Sequence, residues 1–130
     1  MNRLNPLILG YDSVSPLGTR MDIQWQSAAQ GESGIKPLTR FPIRSGFPVQ
    51  VAGEVEDIDV EPYPFLKPRE MAHWTSPLFK YSMLVVHRAL KKSGIDITPG
   101  IAPRVAVTFS SAVGGLDAVI NADRLLVSEN

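Results

Sequence analysis

The 130-residue sequence contains no cysteine and two histidines, His73 and His87. The absence of cysteine excludes disulfides, thiolate metal ligands and a cysteine nucleophile within these residues. No charge of one sign predominates, because 13 Lys and Arg residues balance 13 Asp and Glu residues. The sequence therefore lacks the overall basic field that is typical of nucleic-acid-binding proteins.

Long apolar runs are missing as well. The longest strongly apolar run, residues 83–86, is far too short to cross a bilayer. Residues 1–6 include one basic residue but no apolar segment of secretory length. The hydrophobic fraction of 44% and charged fraction of 20% are ordinary for a soluble domain, and we expect a cytoplasmic protein that contacts neither membrane nor nucleic acid.

Two apolar segments have the composition of buried β-strands. Residues 7–9 follow Pro6 and run into a turn-rich segment, and residues 105–109 follow Pro103 and lead into Gly114 and Gly115. A smaller strand is predicted at residues 49–52, after a loop that begins at residue 35. The interleaved acidic residues from 54 to 61 lack the spacing of a calcium loop and indicate a solvated surface loop.

Three helices are predicted from their boundaries and apolar spacing. The first begins at an N-cap Thr19 with Asp22 three residues later, places Trp25 on its apolar face and ends at Gly31. The second begins at Ser76-Pro77 and ends at Gly94, and its wide apolar stripe predicts burial between other elements. A third runs from Leu116 towards Asn130 with no glycine or proline stop, so we expect a truncated chain.

Few residues here suit catalysis. Ser110 and Ser111 lie where a hydrolase would place a nucleophile, but the G-x-S-x-G pattern is missing. Gly114-Gly115 could open a phosphate loop, although close backbone packing at a tight turn is the simpler interpretation. His87 has no carboxylate near it in sequence and is interpreted as a boundary histidine.

Five ordered segments carry a resemblance to a known family. They are the opening strand and V-S-P-L-G turn (7–18), G-E-S-G-I (31–35), R-F with F-P-V-Q-V-A-G-E-V (40–55), the helix ending A-L-K-K-S-G (81–94), and the loop ending G-G-L (106–116). In this order, they resemble the start of the β-ketoacyl synthase, or condensing-enzyme, family. Asp12 departs from the family pattern, as do His73 and Trp74 in a basic box and Ser110 and Ala112 in the glycine loop.

The resemblance implies an α/β fold similar to thiolase, with α-β-α-β-α layers, of which residues 1–130 would form the first part of the N-terminal half. It implies decarboxylative Claisen condensation of acyl thioesters in fatty acid or polyketide biosynthesis, without metal or cofactor. The family's cysteine nucleophile and two histidines come later in its sequence, so no catalytic residue maps onto this chain. We therefore expect these residues alone to be inactive.

The resemblance also implies site residues and partners. Val113, Gly114 and Gly115 would edge the acyl pocket, and the alternative for Val113 is an apolar residue closing a turn. Lys67 and Arg69 are candidates for docking an acidic acyl carrier protein. Acyl and malonyl thioesters and a homodimeric or heterodimeric partner are implied for the full-length protein. Two other functions stay open: a non-catalytic partner like a chain-length factor, and a stand-alone interaction domain.

Overall fold

The computed structural model describes residues 5–59, 63, 65–67, 69, 76–112 and 114–128. Their backbone contains α1 (Met21–Ala29), β1 (Lys36–Pro37), β2 (Val51–Ala52), α2 (Pro77–Ser93), a 3₁₀ turn (Ala102–Arg104) and α3 (Leu116–Ser128). The chain divides into a hairpin unit, Asp12–Pro62, and a helical unit, Met1–Tyr11 with Tyr63–Asn130. None of the helices within the described ranges has the length and apolar character that crossing a membrane requires.

Helix α1 lies close to its predicted position, but it begins differently. Its N-cap residue is Arg20 rather than Thr19. Asp22 does not complete a capping box, because its carboxylate accepts two hydrogen bonds from the Arg20 guanidinium, at 3.0 and 2.7 Å. Those bonds hold the pKa of Asp22 below its ordinary value. The predicted end is confirmed, since Gly31 has a φ of 73° and its N–H donates to the Ala28 carbonyl.

The two short strands form an antiparallel pair in which Lys36 lies opposite Ala52 and Pro37 opposite Val51. The predicted strand at residues 49–52 is therefore confirmed over its last two residues. Its partner falls in a segment that the sequence predicts as loop. Leu38 continues the pairing by donating its N–H to the Gln50 carbonyl at 3.0 Å.

Glu54, in the acidic segment after β2, makes hydrogen bonds to the residues that follow β1. Its carboxylate accepts hydrogen bonds from the Thr39 hydroxyl at 2.6 Å, from the Thr39 N–H at 3.1 Å and from the Arg40 N–H at 3.1 Å. The Arg40 guanidinium donates in turn to the Val55 carbonyl. These bonds, led by the Thr39 hydroxyl, hold the pKa of Glu54 below its ordinary value of 4.5. The acidic loop thus contributes a specific structural carboxylate.

We predict that Glu54 makes the hairpin sensitive to acid. Because its pKa is lower in the folded state, its stabilisation is complete above about pH 4.5 and is lost as the pH falls through the folded value. Amide hydrogen exchange, corrected for intrinsic rates, should show protection of Thr39 and Arg40 decreasing in that range. Glu54→Gln should abolish the pH step, whereas Glu32→Gln, which lies outside these hydrogen bonds, should retain it. A step of equal size in Glu54→Gln would refute the assignment.

Helix α2 agrees with the sequence at both ends. Ser76 is its N-cap, Pro77 occupies the first turn, and Gly94 adopts a left-handed conformation with a φ of 68°. Leu84 is fully buried at the centre of the helix, and Leu66 is buried in the same helical unit. The predicted burial of a wide stripe is not observed, since Met83 and Val86 on this helix remain exposed.

The two predicted core strands are not strands in this structure. Residues 7–9 and 105–109 have no strand partner among the described residues, and Ile8 and Val107 are 87% and 86% exposed. A β-strand is defined by hydrogen bonds to a neighbour, so apolar and β-branched composition alone does not produce one. The composition of both segments favours strands, but the prediction of two buried strands is wrong for the described part of the chain, where the pairing that a strand requires is missing.

Candidate functional site

The glycine loop that precedes α3 depends on backbone conformations that favour glycine. Gly114 has a φ of 25° and Gly115 a φ of 71°. The Gly115 carbonyl accepts hydrogen bonds from the N–H groups of Ala118 at 2.9 Å and Val119 at 3.2 Å. Gly115 therefore ends the loop and provides the first carbonyl acceptor of α3.

The Ser111 side chain makes a hydrogen bond within this loop. The Gly114 N–H donates to the Ser111 hydroxyl oxygen at 2.9 Å. A β-carbon added at Gly114 would lie 3.4 Å from that oxygen and 3.9 Å from Leu78 Cδ2. The Ser111 side chain thus fixes the backbone of the turn, which gives it a structural role, and the hydrolase hypothesis gains no support here.

A hydrogen bond between side chains links the starts of two helices beside the loop. The Ser76 hydroxyl makes no capping bond to α2 and instead donates to Asp117 Oδ1, in the first turn of α3, at 3.1 Å. The Ser76 carbonyl accepts the Phe79 N–H at 3.1 Å. The N-termini of α2 and α3 therefore lie side by side, with the glycine loop next to them.

An open groove of about 480 Å³ runs between these elements. Leu78, Ala112 and Leu116 provide apolar side chains along it, whereas Ser76, Ser111 and Asp117 provide polar groups near the helix starts. Gly114 and Gly115 border it through their backbone. The groove thus combines an apolar wall with a short polar rim.

The predicted site residues are only partly brought together by this groove. Gly114 and Gly115 border it, and Val113 lies outside the described residues. Lys67 and Arg69 are exposed on a different segment, where the Leu66 N–H donates to the Tyr63 carbonyl at 2.9 Å and the Leu66 side chain is buried. His73 and Trp74 also lie outside the described residues.

His87, on α2, is exposed and packs in a cluster of aromatic rings. Its ring centroid is 4.3 Å from that of Phe65 and 6.2 Å from that of Tyr63. The Tyr63 hydroxyl oxygen accepts hydrogen bonds from Arg88 Nε at 3.1 Å and Nη2 at 2.6 Å. These contacts support the interpretation of His87 as a boundary residue. They hold the segment that carries Lys67 against the helix.

Sequence reasoning missed two contacts at this site. The Ser76–Asp117 bond joins residues 41 positions apart, and its partners lie in separate motifs. The Ser111–Gly114 bond is local, and the general preference of serine side chains for bonding to nearby turn backbone is the one signal in the sequence that could have indicated it. Among the described residues, no group of three or more His, Cys, Asp or Glu side chains is arranged to hold a metal ion.

Comparison with known proteins identifies the family of the chain. The sequence model described as "Beta-ketoacyl synthase, N-terminal domain" matches residues 7–128, which include the glycine loop and α1, α2 and α3. The chain belongs to the β-ketoacyl synthase family. Membership implies a thiolase-like fold, although the described residues do not themselves form its central sheet.

Curated relatives agree with this assignment. The chain is 37% identical over 129 residues to 3-oxoacyl-[acyl-carrier-protein] synthase 2 of Coxiella burnetii, covering 98% of this chain and 30% of that protein. It is 30% identical over 119 residues to the synthase 2 of Vibrio harveyi, covering 92% and 28%, and 27% identical over 124 residues to that of Staphylococcus aureus, covering 95% and 30%. The chain thus spans less than a third of the length of these relatives.

Proposed function

We propose that the chain is a partial β-ketoacyl synthase domain, residues 1–130, of a 3-oxoacyl-ACP synthase that elongates acyl thioesters in fatty acid biosynthesis. The observation that carries the proposal is the family match over residues 7–128, supported by relatives that are named as 3-oxoacyl-ACP synthases. The helix boundaries and the glycine loop fall inside the matched region.

The proposed chemistry requires a nucleophile that these residues do not contain. In a condensing enzyme, a cysteine thiolate attacks the acyl thioester and releases the carrier thiol. Malonyl thioester then loses CO₂, and the resulting carbanion attacks the enzyme-bound acyl carbonyl, forming a carbon–carbon bond and releasing the cysteine. Because the 130 residues include no cysteine, a further polypeptide segment must supply the thiolate.

We assign the groove beside Gly114 and Gly115 to the acyl chain. Its wall of Leu78, Ala112 and Leu116 offers the apolar surface that an acyl chain prefers. The positive φ values of Gly114 and Gly115 favour glycine, so no side chain projects from these two positions of the groove. Val113, between Ala112 and Gly114 in sequence, is proposed to contact the same chain.

We further propose that Lys67 and Arg69 dock the acyl carrier protein. Both side chains are exposed, and the contacts of Leu66 and Tyr63 fix the segment that bears Lys67. Exposed cations steer acidic partners and raise association rates more than affinity. The full-length protein is proposed to be cytoplasmic and to act as a homodimer or heterodimer.

The test compares the chain alone with the chain fused to the portion of the Coxiella synthase that it does not match. CO₂ release from malonyl thioester and acyl transfer from acyl carrier protein should stay at the blank for the chain alone. The fusion should catalyse both reactions. Cysteine-to-serine replacement of the nucleophile in the added segment should lower that rate by several orders of magnitude.

Turnover by the 130 residues alone would contradict the proposal, because another nucleophile would then be responsible. A fusion that folds with the α/β spectrum of the relative but does not turn over would contradict it as well. The matched control is the intact Coxiella synthase, which establishes that the assay detects condensation under the same conditions.

A further inference from the structure

The Ser76 hydroxyl makes a contact that does not serve its own helix. Ser76 is the N-cap residue of α2, a position where a serine side chain usually accepts a hydrogen bond from the first turn and stabilises the helix. That capping bond is not made. The hydroxyl instead donates to Asp117 Oδ1, in the first turn of α3, at 3.1 Å. A departure from local preference of this kind indicates a requirement elsewhere in the structure.

The Ser76–Asp117 bond lies beside the two leucines that line the groove from different helices. Leu78 is two residues after Ser76 on α2, and Leu116 immediately precedes Asp117 on α3. Both leucines line the groove of about 480 Å³. Because each leucine is within two residues of one end of the bond, the distance between the two helix starts determines the distance between the leucines.

The glycine loop is positioned by the same helix starts. A β-carbon at Gly115 would lie 3.9 Å from the Ser76 hydroxyl oxygen, and one at Gly114 would lie 3.9 Å from Leu78 Cδ2. The Gly115 carbonyl also accepts the first backbone hydrogen bonds of α3. A movement of α3 away from α2 would therefore carry the glycine loop with it and widen the groove.

We propose that the Ser76–Asp117 hydrogen bond sets the width of the acyl groove, so that Ser76 and Asp117 are positioning residues for acyl chain length. This inference rests on the proposed function, which assigns the groove to the acyl chain. Burying one methylene completely tightens binding about fourfold. A chain between Leu78 and Leu116 contacts two walls, whereas a chain in a widened groove contacts one and gains only about twofold per methylene.

The role of Asp117 in this bond depends on its oxygen and not on its charge. A carboxylate and a carboxamide oxygen both accept a hydrogen bond from a hydroxyl group. Asp117→Asn therefore keeps the bond and removes the negative charge, which itself favours the N-terminus of α3. Ser76→Ala does the reverse, since it removes the bond and keeps the charge. The two variants separate the hydrogen bond from the electrostatics of the helix.

The experiment uses the chain fused to the unmatched portion of the Coxiella synthase. Calorimetric titration with a homologous series of straight-chain fatty acids gives the gain in affinity per methylene, and kcat/KM for acyl-carrier-protein thioesters of the same lengths gives the corresponding gain in reaction. Ser76→Ala and Asp117→Ala should each lower the gain from at most about fourfold towards about twofold. The double variant should lower it no further, and Asp117→Asn should retain the original gain.

Ser93→Ala is the matched control, because it removes a hydroxyl from the other end of α2, where the hydroxyl donates to the Leu90 carbonyl at 2.7 Å. It should retain the original gain per methylene even if it lowers the unfolding midpoint. A purely structural role of the Ser76–Asp117 bond would make Ser76→Ala behave in the same way, with a lower midpoint or kcat and an unchanged gain. That result would overturn the inference.

The remaining outcomes separate this inference from the proposed function. An equal loss of gain in Asp117→Asn and Ser76→Ala would overturn the hydrogen bond in favour of the charge. Condensation by the fusion with the same gain in every variant would overturn the positioning role and support the proposed function. Fatty-acid binding that changes as expected, without condensation, would do the reverse. A fusion that neither binds fatty acids nor catalyses condensation would overturn both.

Discussion

Replacing Gly10 by alanine is expected to destabilise the helical unit by about 3 kcal/mol, at the upper end of the cost of over-packing. A β-carbon at this position would lie 2.2 Å from the Ala89 carbonyl oxygen, 2.9 Å from the Ser93 nitrogen and 3.1 Å from Ser93 Cβ. The two nearest atoms belong to the backbone of α2 and cannot rotate away. The segment around Gly10 would have to move away from α2. The hydrogen bond that Lys92 Nζ donates to the Tyr11 carbonyl oxygen, at 3.4 Å, would then be lost.

This loss of stability can be measured by urea denaturation monitored through the helical circular dichroism signal. Gly10→Ala should unfold at a lower urea concentration than the wild type, and the dependence of the unfolding free energy on urea should be similar. Gly100→Ala is the matched control, because its β-carbon would meet nothing closer than the Thr98 hydroxyl oxygen at 3.9 Å. Since alanine narrows the unfolded ensemble, that variant should be neutral or slightly more stable. Equal midpoints for Gly10→Ala and the wild type would show that residue 10 does not pack against α2.

Helix boundaries could be predicted because local chemistry determines them. Ser76-Pro77 and Gly94 mark the ends of α2 through capping preferences that depend on a few neighbouring residues. The start of α1 was misplaced by one residue, because Arg20 pairs with Asp22 and no side chain caps the helix. A bidentate ion pair competes with a capping box for the same carboxylate, and sequence alone does not rank the two.

Strands could not be predicted in the same way, since each one needs a partner. Residues 7–9 and 105–109 have strand composition without a neighbour in the described chain, whereas Lys36–Pro37 has loop composition and pairs with Val51–Ala52. The pairing draws on contacts such as Glu54 with Thr39, 15 residues apart. Such long-range bonds decide strand formation more than intrinsic preference does.

At the candidate groove, too, the local features could be predicted from the sequence and the long-range contacts could not. Gly114 and Gly115 were identified through motif resemblance, and their left-handed backbone supports the need for glycine there. The wall that faces them comes from Leu78 on α2, which no local pattern connects with the loop. The sequence thus indicated the loop, and the groove became visible only once the starts of α2 and α3 were placed side by side.

Three of the motifs that resemble the family meet at Pro16, and this contact yields the last prediction. A β-carbon at Gly53 would lie 2.8 Å from Pro16 Cγ, and one at Gly34 would lie 2.8 Å from Pro16 Cβ and 3.0 Å from its carbonyl carbon. The glycines are needed here for close approach, since neither has a positive φ. Gly34→Ala and Gly53→Ala should each destabilise the hairpin unit by about 1–3 kcal/mol.

Pro16→Ala distinguishes the two contacts, because it removes Cγ and keeps Cβ. Added to Gly53→Ala, it should restore most of the lost stability, with a coupling energy of about 1 kcal/mol or more in a double-mutant cycle. Added to Gly34→Ala, it should restore little, since the Cβ and backbone contacts persist. Protection of the Leu38 amide, which donates to the Gln50 carbonyl, reports the stability of this unit. Equal coupling in both cycles would mean that the glycines do not pack against separate atoms of Pro16.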